Sequence, residues 1–143
     1  MWVKIKNMRL WHKKIISVLP RQQLLGQWRE CCCIAKNIST NGTPNHILVN
    51  KILNFPIGHF ITYSVYHVAH EMTVRGYTVD TSKFWKYFPI GDNFIIPSEE
   101  ELFKNWHNDR YLIQCFYNLE EKYDCGGISE DEWIKISNIF IQK

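Results

Sequence analysis

The sequence predicts an all-α fold in one compact domain. Apolar residues recur at helical spacing in several separate stretches, and capping signals punctuate those stretches. No segment shows sustained strand alternation; the best candidate, Phe94-Ile95-Ile96, is too short to count as a strand. At 143 residues, with 45% hydrophobic and 15% aromatic residues, the chain is long enough for one core and too apolar for disorder. Most of its six Trp, seven Tyr and eight Phe are expected inside, leaving a minority to stack on a ligand.

Pro20 suits the first turn of a helix running to about Asn37. Its apolar stripe is Leu24, Trp28, Cys31 and Ala35, flanked by Leu25 and Cys32. The opposite face carries Gln22, Gln23, Gly26, Arg29 and Glu30, so both charges point outward and Gly26 leaves room for an approaching molecule. Residues 37–45 read as a polar loop, and a short helix is expected from His46 to Leu53. Asn54 to Gly58 breaks it. The next helix is placed from about His59 to Arg75, with Gly76 as its stop. Residues 81–87 fit one or two turns and 88–97 are irregular. Ser98 to Glu101 has the pattern of a capping box and should open a helix. Asn108 caps another, with stripe Leu112, Cys115, Phe116, Leu119 and Tyr123 and a stop at Gly126-Gly127. Ser129 to Glu132 repeats the capping pattern before a terminal helix. The acids at 99–101 and 130–132 match the preference of helix N-termini for negative charge.

Charge is strongly polarised. Residues 1–70 hold nine Lys/Arg and one acid, Glu30, for a formal +8; residues 71–143 hold thirteen acids and eight bases, for −5. A basic half attracts a polyanion, nucleic acid first of all. The five cysteines are odd in number and contain no CxxC pair, so reduced thiols in a cytoplasmic protein are expected. No apolar run approaches the roughly 18 residues of a membrane span, and residues 1–7 lack the features of a signal peptide.

Three constellations could carry chemistry. Arg29-Glu30 is the first: a carboxylate among cations should stay ionised, fit to stabilise positive charge, although an exposed Arg–Glu pair is the plainer explanation. His67 and His70 share a helical face, but no third ligand joins them, so no metal is expected. Cys31 and Cys32 face the core and only Cys33 faces out, which argues against a nucleophilic thiolate. Phosphate loops, nucleophile elbows and two-metal carboxylate sets are absent, so no cofactor is expected.

The segment Met8-Arg-Leu-Trp-His-Lys-Lys-Ile-Ile-Ser-Val-Leu-Pro-Arg-Gln-Gln-Leu-Leu-Gly-Gln-Trp-Arg-Glu30 resembles the N-terminus of the pyrimidine dimer DNA glycosylases, the phage endonuclease V family, and looks closest to its bacterial branch. The shared elements are a start methionine, an apolar stretch, a Leu-x-x-Gln segment and an aromatic-Arg-Glu triplet; Met8 to Glu30 equals the family's distance from initiator methionine to catalytic glutamate. Glu71-Met-Thr-Val-Arg-Gly-Tyr77 is similar to the family's Arg-Gly-aromatic helix end. Trp106 to Tyr111 and Tyr123 to Gly127 resemble the bacterial branch alone.

The resemblance implies a monomeric helical domain over residues 8–143, with 1–7 an extension upstream of the functional start. It implies cleavage of double-stranded DNA at pyrimidine dimers by glycosylase and AP-lyase steps. An α-amine, here that of Met8, would attack the deoxyribose C1′ and form an imine, supported by Glu30. Arg29, Arg21 and Arg9 would contact phosphates or the flipped-base region, with Gln22 or Gln23 as polar contacts. Lys13 and Lys14 join the basic DNA face and are the substitute amines if the Met8 amine is blocked. The chain departs from the pattern at Arg9, where the phage enzyme has a threonine, and at Cys33, where the family has an arginine. The competing readings are a helical DNA-binding module without the lyase step and a protein-interaction domain.

Overall fold

The computed structural model describes residues 9–88 and 94–141, and among them all regular structure is helical. A 3-10 turn at Lys13–Val18 leads into α1, Arg21–Asn41. A second 3-10 turn, Asn50–Asn54, precedes a continuous helical run made of α2 (Ile57–Ile61), a π segment (Thr62–Ala69) and α3 (His70–Val74). Then come α4 (Ser82–Trp85), α5 (Asp109–Asp124) and α6 (Glu130–Ile141). None of these helices is long and apolar enough to cross a membrane.

Helix α1 is the axis of the fold. Pro20 sits at its N-cap and the Pro20 carbonyl accepts from Leu24 N–H at 2.9 Å. The predicted stripe is buried, Leu24, Trp28, Cys31 and Ala35 packing toward the π segment and α4. Full burial of a Leu or Ile side chain contributes about 1.5–3 kcal/mol, so this seam anchors the domain. The helix runs past the expected Asn37 to Asn41, because Asn37 turns inward toward the Pro44 carbonyl and Gly42 supplies the left-handed stop, φ 79°. Phe60, Tyr63, Phe84 and Phe103 are all fully buried, Phe84 stacking on Trp28 of α1 and Phe103 tilting against Tyr63. Helix α5 packs on α6, which in turn covers the Lys13–Val18 turn.

Several boundaries move. The expected helix at His46–Leu53 is instead a turn followed by the short 3-10 segment. The central helix starts at Ile57, with Pro56 as its N-cap, and contains the unforeseen π stretch. Gly58 is held by close approach, since a Cβ there would overlap the Ile95 carbonyl.

The helix expected after Ser98 does not form. Ser98 Oγ accepts from Glu101 N–H at 3.2 Å, but the chain then passes through left-handed residues Phe103 (φ 50°) and Asn105 (φ 74°). Lys13 Nζ donates to the carbonyls of Glu99 (2.6 Å), Glu100 (3.4 Å) and Leu102 (2.6 Å), and Phe103 N–H donates to His59 Nδ1 at 3.1 Å. Acceptors and a donor that would build a helix are thus taken by distant side chains.

The other caps match expectation. Asn108 Oδ1 accepts from Tyr111 N–H, and Gly126 (φ 83°) follows the end of α5. Ser129 and Glu132 close a reciprocal capping box. Part of the irregular stretch expected at 88–97, residues 89–93, lies outside the described residues, as does Met8; residues 94–97 have no regular structure.

Candidate active site

The segment that follows Met8 is clamped by side chains from three elements. Gln27, buried on the core face of α1, accepts from Trp11 N–H at 2.7 Å and donates to the Arg9 carbonyl at 2.9 Å. Tyr63 in the π segment donates to the Trp11 carbonyl at 2.6 Å, with its hydroxyl 3.0 Å from Gln27 Oε1. Tyr111 in α5 donates to the Leu10 carbonyl at 2.6 Å. Buried backbone groups need such partners, and here they hold residues 9–11 against α1.

Glu30 lies at the exposed end of this clamp. The Arg9 N–H donates to its carboxylate. Met8, outside the described residues, is the residue bonded to Arg9. Glu30 also lines an open pocket of about 300 Å³ together with Arg9, Trp11, Gln22, Gln23 and Gly26; the far wall is Leu48, Asn118 and Lys122. A Cβ on Gly26 would meet only the Arg29 guanidinium, at 3.9 Å, so the missing side chain leaves space in the pocket itself. Among the described residues Gln23 Oε1 is buried without a hydrogen-bond partner, an acceptor open to a ligand donor.

The expectation that Glu30 stays ionised is corrected. Burial pushes its pKa up to about 7, outweighing the Arg9 N–H and the Arg29 charge, both of which pull it down. Nor is there a direct ion pair between Arg29 and Glu30 within 4.0 Å, in contrast to Arg75 and Glu71, which meet at 2.9 Å. A carboxyl group titrating near neutrality can hold charge or carry a proton at the same pH.

The other candidates fall in different places. Arg9 is at the pocket, its guanidinium over Trp11 (5.4 Å) and Tyr111 (5.9 Å). Arg29 is exposed one residue before Glu30. Arg21 opens α1 away from the pocket lining, with Nε donating to Tyr77 Oη at 3.1 Å and its N–H to Glu132. Lys13 and Lys14 border a separate depression with His67 and His70, so the structure does not bring them to Glu30. Burial lowers the Lys13 pKa, yet its ammonium is occupied by three carbonyls. His70 is exposed while His67 is half-buried, and burial lowers the His67 pKa. All five thiols are free. Burial raises Cys32 to about 11 and also raises Cys31 and Cys33, which removes a thiolate at neutral pH.

Gln27, Tyr63, Tyr111, Asn118 and Lys122 were not singled out from the sequence. Gln27 did leave a signal: it occupies a core position of the α1 stripe, where a polar side chain must serve a buried partner.

The pyrimidine dimer DNA glycosylase family model matches residues 8–84, the stretch that contains Glu30, the clamp residues Gln27 and Tyr63, and six of the eight other residues that line the pocket. No curated protein and no solved structure matches the chain. The match spans more than half of the 143 residues, and the chain belongs to the pyrimidine dimer DNA glycosylase family.

Proposed function

We propose that this protein excises pyrimidine dimers from double-stranded DNA with an amine nucleophile assisted by Glu30, and that the lesioned strand is then cut by β-elimination. The observation that carries the reading is the position of Glu30: half-buried, titrating near neutral pH, hydrogen-bonded to the N–H of the residue after Met8, and facing an open pocket.

In this reading the chain's functional start is Met8. The α-amine, with a pKa near 8, is partly unprotonated at neutral pH. Its lone pair attacks the deoxyribose C1′; the C1′–N bond to the base breaks and the base leaves with that electron pair. Opening of the sugar ring leaves a C1′ iminium on the enzyme. Loss of a C2′ proton and departure of the 3′ phosphate then break the strand, and water releases the sugar from the amine. Ionised Glu30 stabilises the cationic sugar and iminium, and protonated Glu30 returns a proton to a leaving atom. Arg9 and Arg29 supply positive charge for phosphates on either side of the carboxylate, and Gln22 and Gln23 offer amides to the displaced nucleotide.

The test is incubation of a dimer-bearing duplex with protein that starts at Met8, following base release and strand scission separately across pH. Both should occur, with the rate rising through about pH 7 as Glu30 ionises. Salt-sensitive binding with no scission at any pH would instead identify a DNA-binding module.

A further inference from the structure

Helix α5 lies beyond the family match and within the acidic half of the chain. Its charges are nevertheless sorted by face. Arg110, Gln114, Asn118 and Lys122 recur every fourth residue, and all four line pockets. The acids of α5 (Asp109, Glu120, Glu121 and Asp124) line neither of them.

Arg110 and Gln114 border a second pocket of about 320 Å³ that also takes in Lys51. Asn118 and Lys122 border the Glu30 pocket. Leu48 is common to both pockets and is 48% exposed, next to Ile47 at 84%. Two polar basins therefore meet at one solvent-facing apolar side chain, along a helical stripe about 18 Å long.

We propose that α5 is the second DNA-binding wall of the site, with Leu48 as an apolar wedge against the base stack where the two pockets meet. The occupant is duplex DNA. Charge complementarity supports this occupant, since the bases of α5 line the two pockets and its acids line neither, and the second pocket shares Leu48 with the Glu30 pocket. Arg110, Lys122 and Lys51 neutralise phosphates, while Gln114 and Asn118 offer both donors and acceptors. An apolar side chain pressed between base steps unstacks them and favours a kinked duplex. The inference rests on the proposed function in placing DNA at Glu30, and it adds the half of the interface that the basic N-terminal segment does not supply.

The experiment is equilibrium binding to an undamaged duplex and to one bearing a stable abasic-site analogue, which is not cleaved, over a range of salt. The double variant Arg110→Gln/Lys122→Gln should flatten the slope of log affinity against log salt by about 1.8, and each single variant by about 0.9. Leu48→Ala should leave the slope unchanged, lower affinity for the lesion duplex about fivefold to tenfold, and abolish the fluorescence rise of a 2-aminopurine placed beside the lesion. Thermal melts establish that each variant folds, and the single variants serve if the double one does not. An unchanged slope in the charge variants, with Arg9→Gln still weakening binding, overturns α5 as a wall and leaves the Glu30 site standing. If Arg9→Gln also changes nothing, DNA is not held at this pocket and both readings fall. A Leu48→Ala protein that keeps its lesion preference and the fluorescence rise overturns the wedge.

Discussion

Glu30 and Lys13 are both charged residues partly buried in the same basic half, and they are treated in opposite ways. Lys13 Nζ is surrounded by three carbonyls. Glu132 is similarly saturated, by Ser129 and the Arg21 N–H, which hold its carboxyl below the usual range despite some burial. Arg75 meets Glu71 and the carbonyls of Ile16 and Ser17. Glu30 has one backbone donor, no ion pair within 4.0 Å among the described residues, and a pocket in front of it. A charge that serves the fold is given its full set of partners; Glu30 is left short of them at a cost in stability, as its proposed role toward a substrate requires.

The comparison breaks most sharply at Glu30. Glu30→Gln should lower single-turnover strand scission on dimer DNA by roughly 10²–10⁴-fold while leaving DNA affinity within a few-fold, measured by quenched-flow cleavage and anisotropy. Next is the clamp. Gln27→Ala leaves the buried Trp11 N–H and the Arg9 carbonyl without their partner, and should destabilise the fold by about 2–4 kcal/mol, read from urea denaturation; a loss below half a unit would show that residues 9–11 are held some other way.

Titration sharpens the contrast, because the two kinds of group respond to pH with opposite sign. Glu30 has a folded pKa above its unfolded value, so the folded state binds the extra proton between about pH 4.5 and 7 and stability falls as pH rises through that window. Removing the charge should therefore stabilise: Glu30→Gln is expected to gain roughly 1–3 kcal/mol at pH 8 and nothing at pH 4, by thermal melts at both. The buried histidines act the other way. Burial lowers His12 to about 4 and holds His107 well below its usual value, so the unfolded chain takes up protons first and stability is lost as pH falls from about 6.5 toward 4. The smallest expected effect is on the saturated side: Arg75→Ala should cost roughly 1 kcal/mol and leave scission unchanged.

What could be read from the sequence was local. Pro20, Gly76, Asn108, Gly126 and the Ser129–Glu132 box act within a few residues of themselves, and each marks an element end that the structure contains. The stripe of α1 was equally legible, since its period follows from helical geometry alone. The failures are where a distant group intervenes. Ser98 to Glu101 has the same cap chemistry as Ser129 to Glu132, yet Lys13 takes its carbonyls, 86 positions away in the sequence for Glu99. The charge state of Glu30 failed likewise: its sequence neighbours are cations, but its burial comes from the folded surroundings. Glu30 stood out in the sequence as the lone acid among nine bases, whereas the clamp by Gln27, Tyr63 and Tyr111 required the tertiary structure.

The most direct test of the account is borohydride trapping on duplexes bearing a cyclobutane dimer or an abasic site, comparing protein that starts at Met1, protein that starts at Met8, and Glu30→Gln in the latter. The account predicts a covalent adduct from the Met8 form on both substrates, mapped to residue 8 by peptide mass, and lost on dimer DNA in Glu30→Gln. No adduct from any form, or an adduct on Lys13 or Lys14 that is indifferent to Glu30, would contradict it.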